Sequence, residues 1–146
     1  MSLAPLAASG GLVVTLDDLV AWGTRFGAAA RPPVLITLSG ELGAGKTALV
    51  QAICRGYGVT EPVTSPTFAL VHEYAAPRSQ VFHLDLYRLN QPADLEPIGW
   101  REIVSARALV LLEWPDRAGT LLPAEHVPIR LEHVPDDARR RILLAG

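Results

Sequence analysis

Eight consecutive residues in the first third of the chain have the types and spacing of a phosphate-binding loop. They are Gly40-Glu41-Leu42-Gly43-Ala44-Gly45-Lys46-Thr47, which match the pattern Gly-x-x-x-x-Gly-Lys-Ser/Thr. Glycines let successive backbone N–H groups point at phosphate oxygens, and a helix beginning near Lys46 adds its positive end. Lys46 would then reach the β- and γ-phosphates, and the hydroxyl of Thr47 would bind Mg²⁺. These residues predict a nucleotide site.

Lys46 is the only lysine among the 13 lysines and arginines of the chain. A glycine-rich turn that carries a lysine by accident is the alternative interpretation of the pattern. A chain that otherwise uses arginine throughout has its one lysine at the position that the pattern requires, which favours the phosphate site.

Two acidic residues end predicted strands and are candidates for the same site. Asp85 follows the apolar run 81–84, and Glu113 follows 109–112. The carboxyl ends of central strands open onto the ligand crevice of an open α/β sheet. A phosphate site needs a carboxylate there to hold the Mg²⁺ shell or to orient water. Spacing alone assigns neither role, and each acid could instead cap a loop.

The segment Val63–Phe68 follows the phosphate-loop helix, where P-loop proteins place a segment that senses the γ-phosphate. Ser65 or Thr67 could offer a hydroxyl to Mg²⁺ or to water, and an ordinary proline turn is the alternative.

Trp114 could stack on a nucleotide or a partner, or it could only seal the core. His83 is interpreted as a structural hydrogen bonder, because no further His or Cys lies nearby in the sequence.

The pattern of helices and strands that must position these residues predicts an α/β domain. We expect a P-loop NTPase-like, three-layer domain with a mixed sheet, parallel at its centre and with antiparallel hairpins at its edges. Pro128 places its strand at a sheet edge, and Gly56 and Gly58 are candidate helix C-caps. The predicted helices are 16–27 with Thr15 as N-cap, 46–57, and one within 94–106. The predicted strands are 34–38, 68–74, 81–86, 109–112, 127–131 and 141–145.

Composition limits the classes of protein that the chain can belong to. Its 146 residues are 49% hydrophobic, which fits a single domain over 1–146 with residues 1–10 as a candidate disordered leader. The net charge of −2 lacks the basic footprint of a free-standing nucleic-acid binder. A single cysteine, Cys54, excludes an intrachain disulfide. No apolar run approaches the ~18 residues of a membrane span, and we expect a cytoplasmic protein.

Four motifs in a fixed order resemble the TsaE (YjeE) family, whose members are small bacterial P-loop ATPases of tRNA threonylcarbamoyladenosine biosynthesis. The P-loop alone is generic, but the other three motifs are specific, and the resemblance covers nearly the whole chain. One departure is Glu41, where Asp is common. The motifs are Ser39–Thr47, Thr64–Phe68, His83–Leu89 and Leu112–Pro115.

The resemblance implies a Mg²⁺-dependent protein that binds and hydrolyses ATP in a complex with the TsaB and TsaD subunits. ATP turnover would reset that transferase between cycles, and tRNA would be contacted only through the complex. By position, Thr47 and Glu113 would bind Mg²⁺, and Asp85 would serve in hydrolysis.

The resemblance also implies roles for three further positions. Thr67 would belong to a switch-like loop, and Trp114 would lie near the nucleotide. An arginine near the start of the family's last strand can approach the nucleotide, and Arg139 is its nearest match here.

Two other functions stay open. A P-loop small-molecule kinase needs an acceptor pocket and usually an arginine-bearing lid, and the segment Arg78–Arg107 is short for both, although Arg88 and Arg101 could contribute. A nucleotide-sensing module without catalysis would bind ATP or ADP and turn over negligibly. No Asn-Lys-x-Asp guanine motif is present, and the choice of ATP rests on the resemblance.

Overall fold

The structure is a computed structural model that describes residues 11–41, 43–64, 66 and 70–145. The expected leader 1–10 therefore lies outside the described residues, as do Leu42, Ser65 and Thr67. The regular elements are β1 (Leu12–Thr15), α1 (Leu16–Ala29), β2 (Val34–Gly40), α2 (Lys46–Tyr57), β3 (Val71–Ala75), β4 (Gln80–Asp85), α3 (Trp100–Ser105), β5 (Leu109–Glu113), β6 (Val127–Val134) and β7 (Asp137–Ala145), with 3-10 segments at Pro92–Ile98 and Pro115–Leu121.

The strands of the described residues form one seven-stranded sheet in the order β1-β7-β6-β2-β5-β4-β3. The four central strands β6, β2, β5 and β4 are parallel neighbours. The outer pairs β3–β4, β6–β7 and β1–β7 are antiparallel. The predicted mixed sheet with a parallel centre is confirmed.

Strand β5 shows how the sheet separates two layers of core. All five of its residues are buried, and successive side chains of a strand point to opposite faces. Leu109 and Leu111 pack in a cluster with side chains of α1 and α2. Val110 and Leu112 pack with α3 and the two 3-10 segments on the other face. The result is the three-layer arrangement expected from the sequence.

Helix α1 begins with the cap that the sequence predicts. The Thr15 hydroxyl accepts the backbone N–H of Asp18 at 3.2 Å, and the Asp18 carboxylate accepts the backbone N–H of Thr15 at 3.2 Å. This reciprocal capping box satisfies two N–H groups at the helix start. It also fixes the chain where β1 turns into α1.

Helices α1 and α2 pack closely because glycines stand at their contact. A Cβ on Gly56 would lie 2.0 Å from the Thr24 carbonyl oxygen, and a Cβ on Gly27 would lie 2.0 Å from the Ile53 carbonyl oxygen. The prediction of Gly56 as a C-cap is wrong, since it lies inside α2 at this close approach. Gly58 is the C-cap, with φ 107°.

Several sequence predictions of strands need correction. The strand with Pro128 is not at an edge, because β6 lies between β2 and β7. In the described residues, the first residue of β6 that pairs with β7 is Ile129, so Pro128 lies next to the end of the β6–β7 ladder. Strand β1 was not expected, and β7 begins at Asp137 instead of 141. In the described residues, no helix is both long and apolar enough to cross a membrane.

The loop between β3 and β4 holds the end of α1 through Arg78. Its guanidinium donates to the carbonyl oxygens of Gly27 at 3.2 Å, Ala28 at 2.8 Å and Ala30 at 2.9 Å. These carbonyls lie at the negative end of the helix, where a cation is favourable. One side chain thereby ties the hairpin to the helical layer.

We expect Arg78→Met to lower the free energy of unfolding by about 1–2 kcal/mol, because the carbonyls lose a charged donor while the aliphatic stem is kept. Urea unfolding followed by circular dichroism measures this. Arg101→Met, at an exposed position of α3, is the control and should leave stability unchanged. Equal midpoints for the two variants would contradict the assignment.

Candidate functional site

One cavity of about 520 Å³ opens at the carboxyl ends of β2, β5 and β4, a size common for ligand sites. Parallel register brings these ends together: Leu38 of β2 pairs with Glu113, and Asp85 of β4 also pairs with Glu113. The residues of its wall that matter here are Gly43, Gly45, Lys46, Thr47, Pro66, Asp85, Tyr87, Arg88, Glu113, Trp114 and Arg141.

The phosphate-loop pattern is explained by its backbone. Gly40 ends β2 with φ 144°, and a Cβ there would lie 2.4 Å from the Leu131 carbonyl oxygen. Gly45 is the N-cap of α2 with φ 107° in the left-handed region. Because Gly45 has no side chain with which to cap the helix, the first N–H groups of α2 remain available to an anion. Leu42 lies outside the described residues.

Lys46 is buried, with only 6% of its surface exposed. Its Nζ donates to the Gly40 carbonyl oxygen at 2.6 Å and lies 3.9 Å from the centroid of the Trp114 ring, a cation–π distance. Burial lowers the pKa of Lys46, and the nearby carboxylates, chiefly Glu113 and Asp85, oppose that shift. The lysine is thus held at the cavity wall by a backbone carbonyl and an aromatic ring.

Trp114 has an unusual backbone conformation, φ 58° and ψ 55°. The left-handed region is rare for a bulky residue and costs about 1–3 kcal/mol. This turn brings the indole between Lys46 and the Tyr87 ring, whose centroid is 5.0 Å away. The sequence left several roles open for Trp114. In the structure it lies on the cavity wall.

The two acids have different surroundings. Asp85 accepts the backbone N–H of Tyr87 at 3.0 Å. Burial raises the pKa of Asp85, and this hydrogen bond opposes the shift. Glu113 is almost fully buried, and its Oε2 lies 2.6 Å from Nε2 of His83. Sequence reasoning expected a hydrogen bond from His83 but missed its partner, which lies 30 residues away.

Two arginines of β7 differ in their position relative to the cavity. Arg139 is not among the described residues of the cavity wall, and its backbone N–H donates to the Asp137 carboxylate at 3.0 Å. Arg141 lines the cavity instead. Its Nε and Nη1 are buried and find no acceptor among the described residues. Buried guanidinium nitrogens without an acceptor indicate a place for an anion.

The two side chains predicted to hold a magnesium ion also lie at this cavity. Thr47 and Glu113 supply a hydroxyl and a carboxylate. In the described part of the chain, no three His, Cys, Asp or Glu side chains form a metal-binding group. Magnesium in such sites is commonly held by one or two carboxylates together with substrate phosphates, and the residues present fit that mode. Thr67 lies outside the described residues, although the neighbouring Pro66 lines the cavity.

Comparisons with known proteins identify the family of the chain. The family model described as "Threonylcarbamoyl adenosine biosynthesis protein TsaE" matches residues 13–142. The chain belongs to the TsaE family. This membership places it among proteins of tRNA threonylcarbamoyladenosine biosynthesis, and the predicted family is confirmed.

Individual relatives span most of the chain. It is 37% identical over 112 residues to the tRNA threonylcarbamoyladenosine biosynthesis protein TsaE of Haemophilus influenzae, covering 77% of this chain and 70% of that protein. It is 37% identical over 129 residues to the TsaE of Treponema pallidum, covering 88% and 94%. The crystal structure of Bacillus subtilis YdiB superposes with a TM-score of 0.73 at 27% identity, covering 92% and 84%. The P-loop NTPase fold is thereby confirmed.

Arg141 and Arg139 give a matched pair of variants. We expect Arg141→Ala to weaken the binding of a non-hydrolysable ATP analogue by about 10-fold or more, because a charged hydrogen bond to an anion is lost. Arg139→Ala, two residues earlier on the same strand, should bind as the unmodified protein does. Isothermal titration calorimetry measures both affinities. A loss confined to Arg139→Ala would show that Arg139, and not Arg141, contacts the nucleotide.

Proposed function

We propose that this chain is the Mg²⁺-dependent ATP-binding and ATP-hydrolysing component of the tRNA N6-threonylcarbamoyladenosine modification complex. One observation carries the proposal: Lys46, Asp85, Glu113 and Arg141, whose Nε and Nη1 find no acceptor in the described residues, line a single cavity beside the start of α2. Family membership supports the pathway. The sole lysine of the chain occupies the lysine position of the phosphate-loop pattern, from which it would contact a polyphosphate.

Binding of the nucleotide follows from the charges of the wall. The N-terminus of α2 and the Lys46 ammonium would hold the phosphate chain. The Arg141 guanidinium would bind a further anionic oxygen. Trp114 lies on the same wall and would contact the nucleotide. The apolar and cationic wall thus accommodates both the charged and the planar parts of ATP.

Hydrolysis would use the two acids in separate roles. Glu113 and Thr47 would hold Mg²⁺, which when bound neutralises charge on the phosphates. Asp85 would orient the attacking water and accept its proton, and a pKa raised by burial makes its carboxylate the stronger base. Thr67, in the loop that reaches the cavity at Pro66, would respond to the γ-phosphate.

The partners would be the TsaB and TsaD subunits, whose transferase ATP turnover would reset between cycles. The net charge of −2 supports contact with tRNA through the complex rather than by this chain alone. We place the activity in the cytoplasm and assign it to a single domain.

The test is phosphate release from Mg-ATP by this chain, alone and mixed with the TsaB–TsaD pair. We expect weak release alone and strong stimulation by the pair. Lys46→Ala should abolish both, because the phosphates lose their principal cation. Arg55→Ala, which removes an exposed charge from the other end of α2, is the control and should keep full activity.

Two outcomes would contradict the proposal. Transfer of phosphate to a small molecule without release would indicate a kinase. Tight nucleotide binding with negligible turnover, even in the presence of both subunits, would indicate a nucleotide sensor.

A further inference from the structure

We propose that His83 is a positioning residue for the Glu113 carboxylate, and that the bond from its Nε2 sets the Mg²⁺-dependent part of nucleotide binding. The inference rests on the proposed function, because it takes Glu113 as the acid that serves Mg²⁺. It gives a role to the first residue of the motif His83–Leu89, which the proposed function leaves unused.

The contact is short and fully enclosed. His83 is 1% exposed and Glu113 is 4% exposed, and their Nε2 and Oε2 atoms are 2.6 Å apart. A carboxylate accepts and cannot donate, so the imidazole donates from Nε2. A hydrogen bond to an ionised acid is stronger than a neutral one, and burial strengthens it further. The orientation of the acid is therefore determined by this bond.

The sheet explains why the two side chains meet. His83 and Asp85 are two residues apart on β4, so they share a face of the sheet. His83 pairs in register with Leu111 and Asp85 pairs with Glu113. The imidazole thus reaches past its own register partner to Glu113, two residues further along β5. Long side chains can make such diagonal contacts between neighbouring strands. His83, Asp85 and Glu113 all stand on the face that α2 covers.

The bond engages one of the two carboxylate oxygens of Glu113. The other oxygen can still coordinate a cation or accept a hydrogen bond from a water molecule at the cavity that Glu113 lines. A glutamate side chain has three rotatable bonds, and an acid held at one oxygen presents the second in a defined direction. Groups that orient a metal ligand in this way typically change metal affinity by 10–100-fold.

A merely structural role is the competing explanation. A buried carboxylate needs a partner whatever its function, because leaving it unpaired is costly. Such a partner would affect stability but would not affect how nucleotide binding depends on Mg²⁺. The experiment therefore separates these two quantities.

His83→Gln and His83→Asn form the decisive pair. The amide nitrogen of Gln can take the place of Nε2, whereas that of Asn reaches only as far as Nδ1. Affinity for a non-hydrolysable ATP analogue is measured by calorimetry, in EDTA and across a Mg²⁺ titration, together with thermal unfolding of the nucleotide-free protein. His126→Asn is the control, since its ring bonds the Pro123 carbonyl at 2.8 Å, away from the cavity.

We expect all variants to bind the analogue equally in EDTA. The half-saturating Mg²⁺ concentration should rise about 10–100-fold in His83→Asn and be largely restored in His83→Gln. In a Glu113→Ala background, His83→Asn should have no further effect on it. If His83→Asn does not fold, His83→Leu replaces it, and the comparison with His83→Gln is unchanged.

Two results would overturn the inference. One is a Mg²⁺ dependence in His83→Asn equal to that of the unmodified protein, with only the unfolding temperature lowered. The other is an equal loss of affinity in EDTA and in Mg²⁺. Lys46→Ala distinguishes these failures from a failure of the proposed function. If that variant binds the analogue as tightly as the unmodified protein, the cavity is not the nucleotide site.

Discussion

The burial of the Lys46 ammonium group is the constraint on which the rest of the site depends. A cation removed from water requires compensation, and here it comes from the Gly40 carbonyl, the Trp114 ring and the carboxylates of Glu113 and Asp85. These groups reach the lysine because β2, β5 and β4 run parallel and end together. A lysine stabilised by a carbonyl, a ring and two nearby carboxylates can still be transferred to a phosphate, so the same arrangement that stabilises the charge also prepares a site for a polyphosphate.

Three residues around the lysine adopt conformations or environments that are unfavourable for stability. Trp114 adopts a left-handed backbone conformation, and Glu113 is almost fully buried beside His83. Arg141 holds buried guanidinium nitrogens without an acceptor in the described residues. Each feature costs stability in an empty site. A bound anion would give the Arg141 guanidinium nitrogens an acceptor and would thereby remove their contribution to this cost.

The parts of the site that local sequence could predict are those determined by neighbouring residues. The P-loop, the bounds of α2 and the acids at the ends of β4 and β5 follow from glycine positions and short apolar runs. Long-range pairing determined the rest. Arg139 and Arg141 are two residues apart in the sequence, so the alternation pattern alone could not separate them. Arg141 pairs with Val14 and His133, and the register shift of the β6–β7 ladder lies on its Asp137 side. The His83–Glu113 bond and the inner position of β6 depend on sheet register in the same way.

The most direct test of the nucleotide site is a crystal structure of this chain with Mg²⁺ and a non-hydrolysable ATP analogue. We expect the triphosphate at the N-terminus of α2, the Lys46 Nζ moved from the Trp114 ring to a phosphate oxygen, and the Arg141 guanidinium bonded to the analogue. An analogue bound elsewhere, with Lys46 still on the Trp114 ring, would contradict the assignment of this cavity.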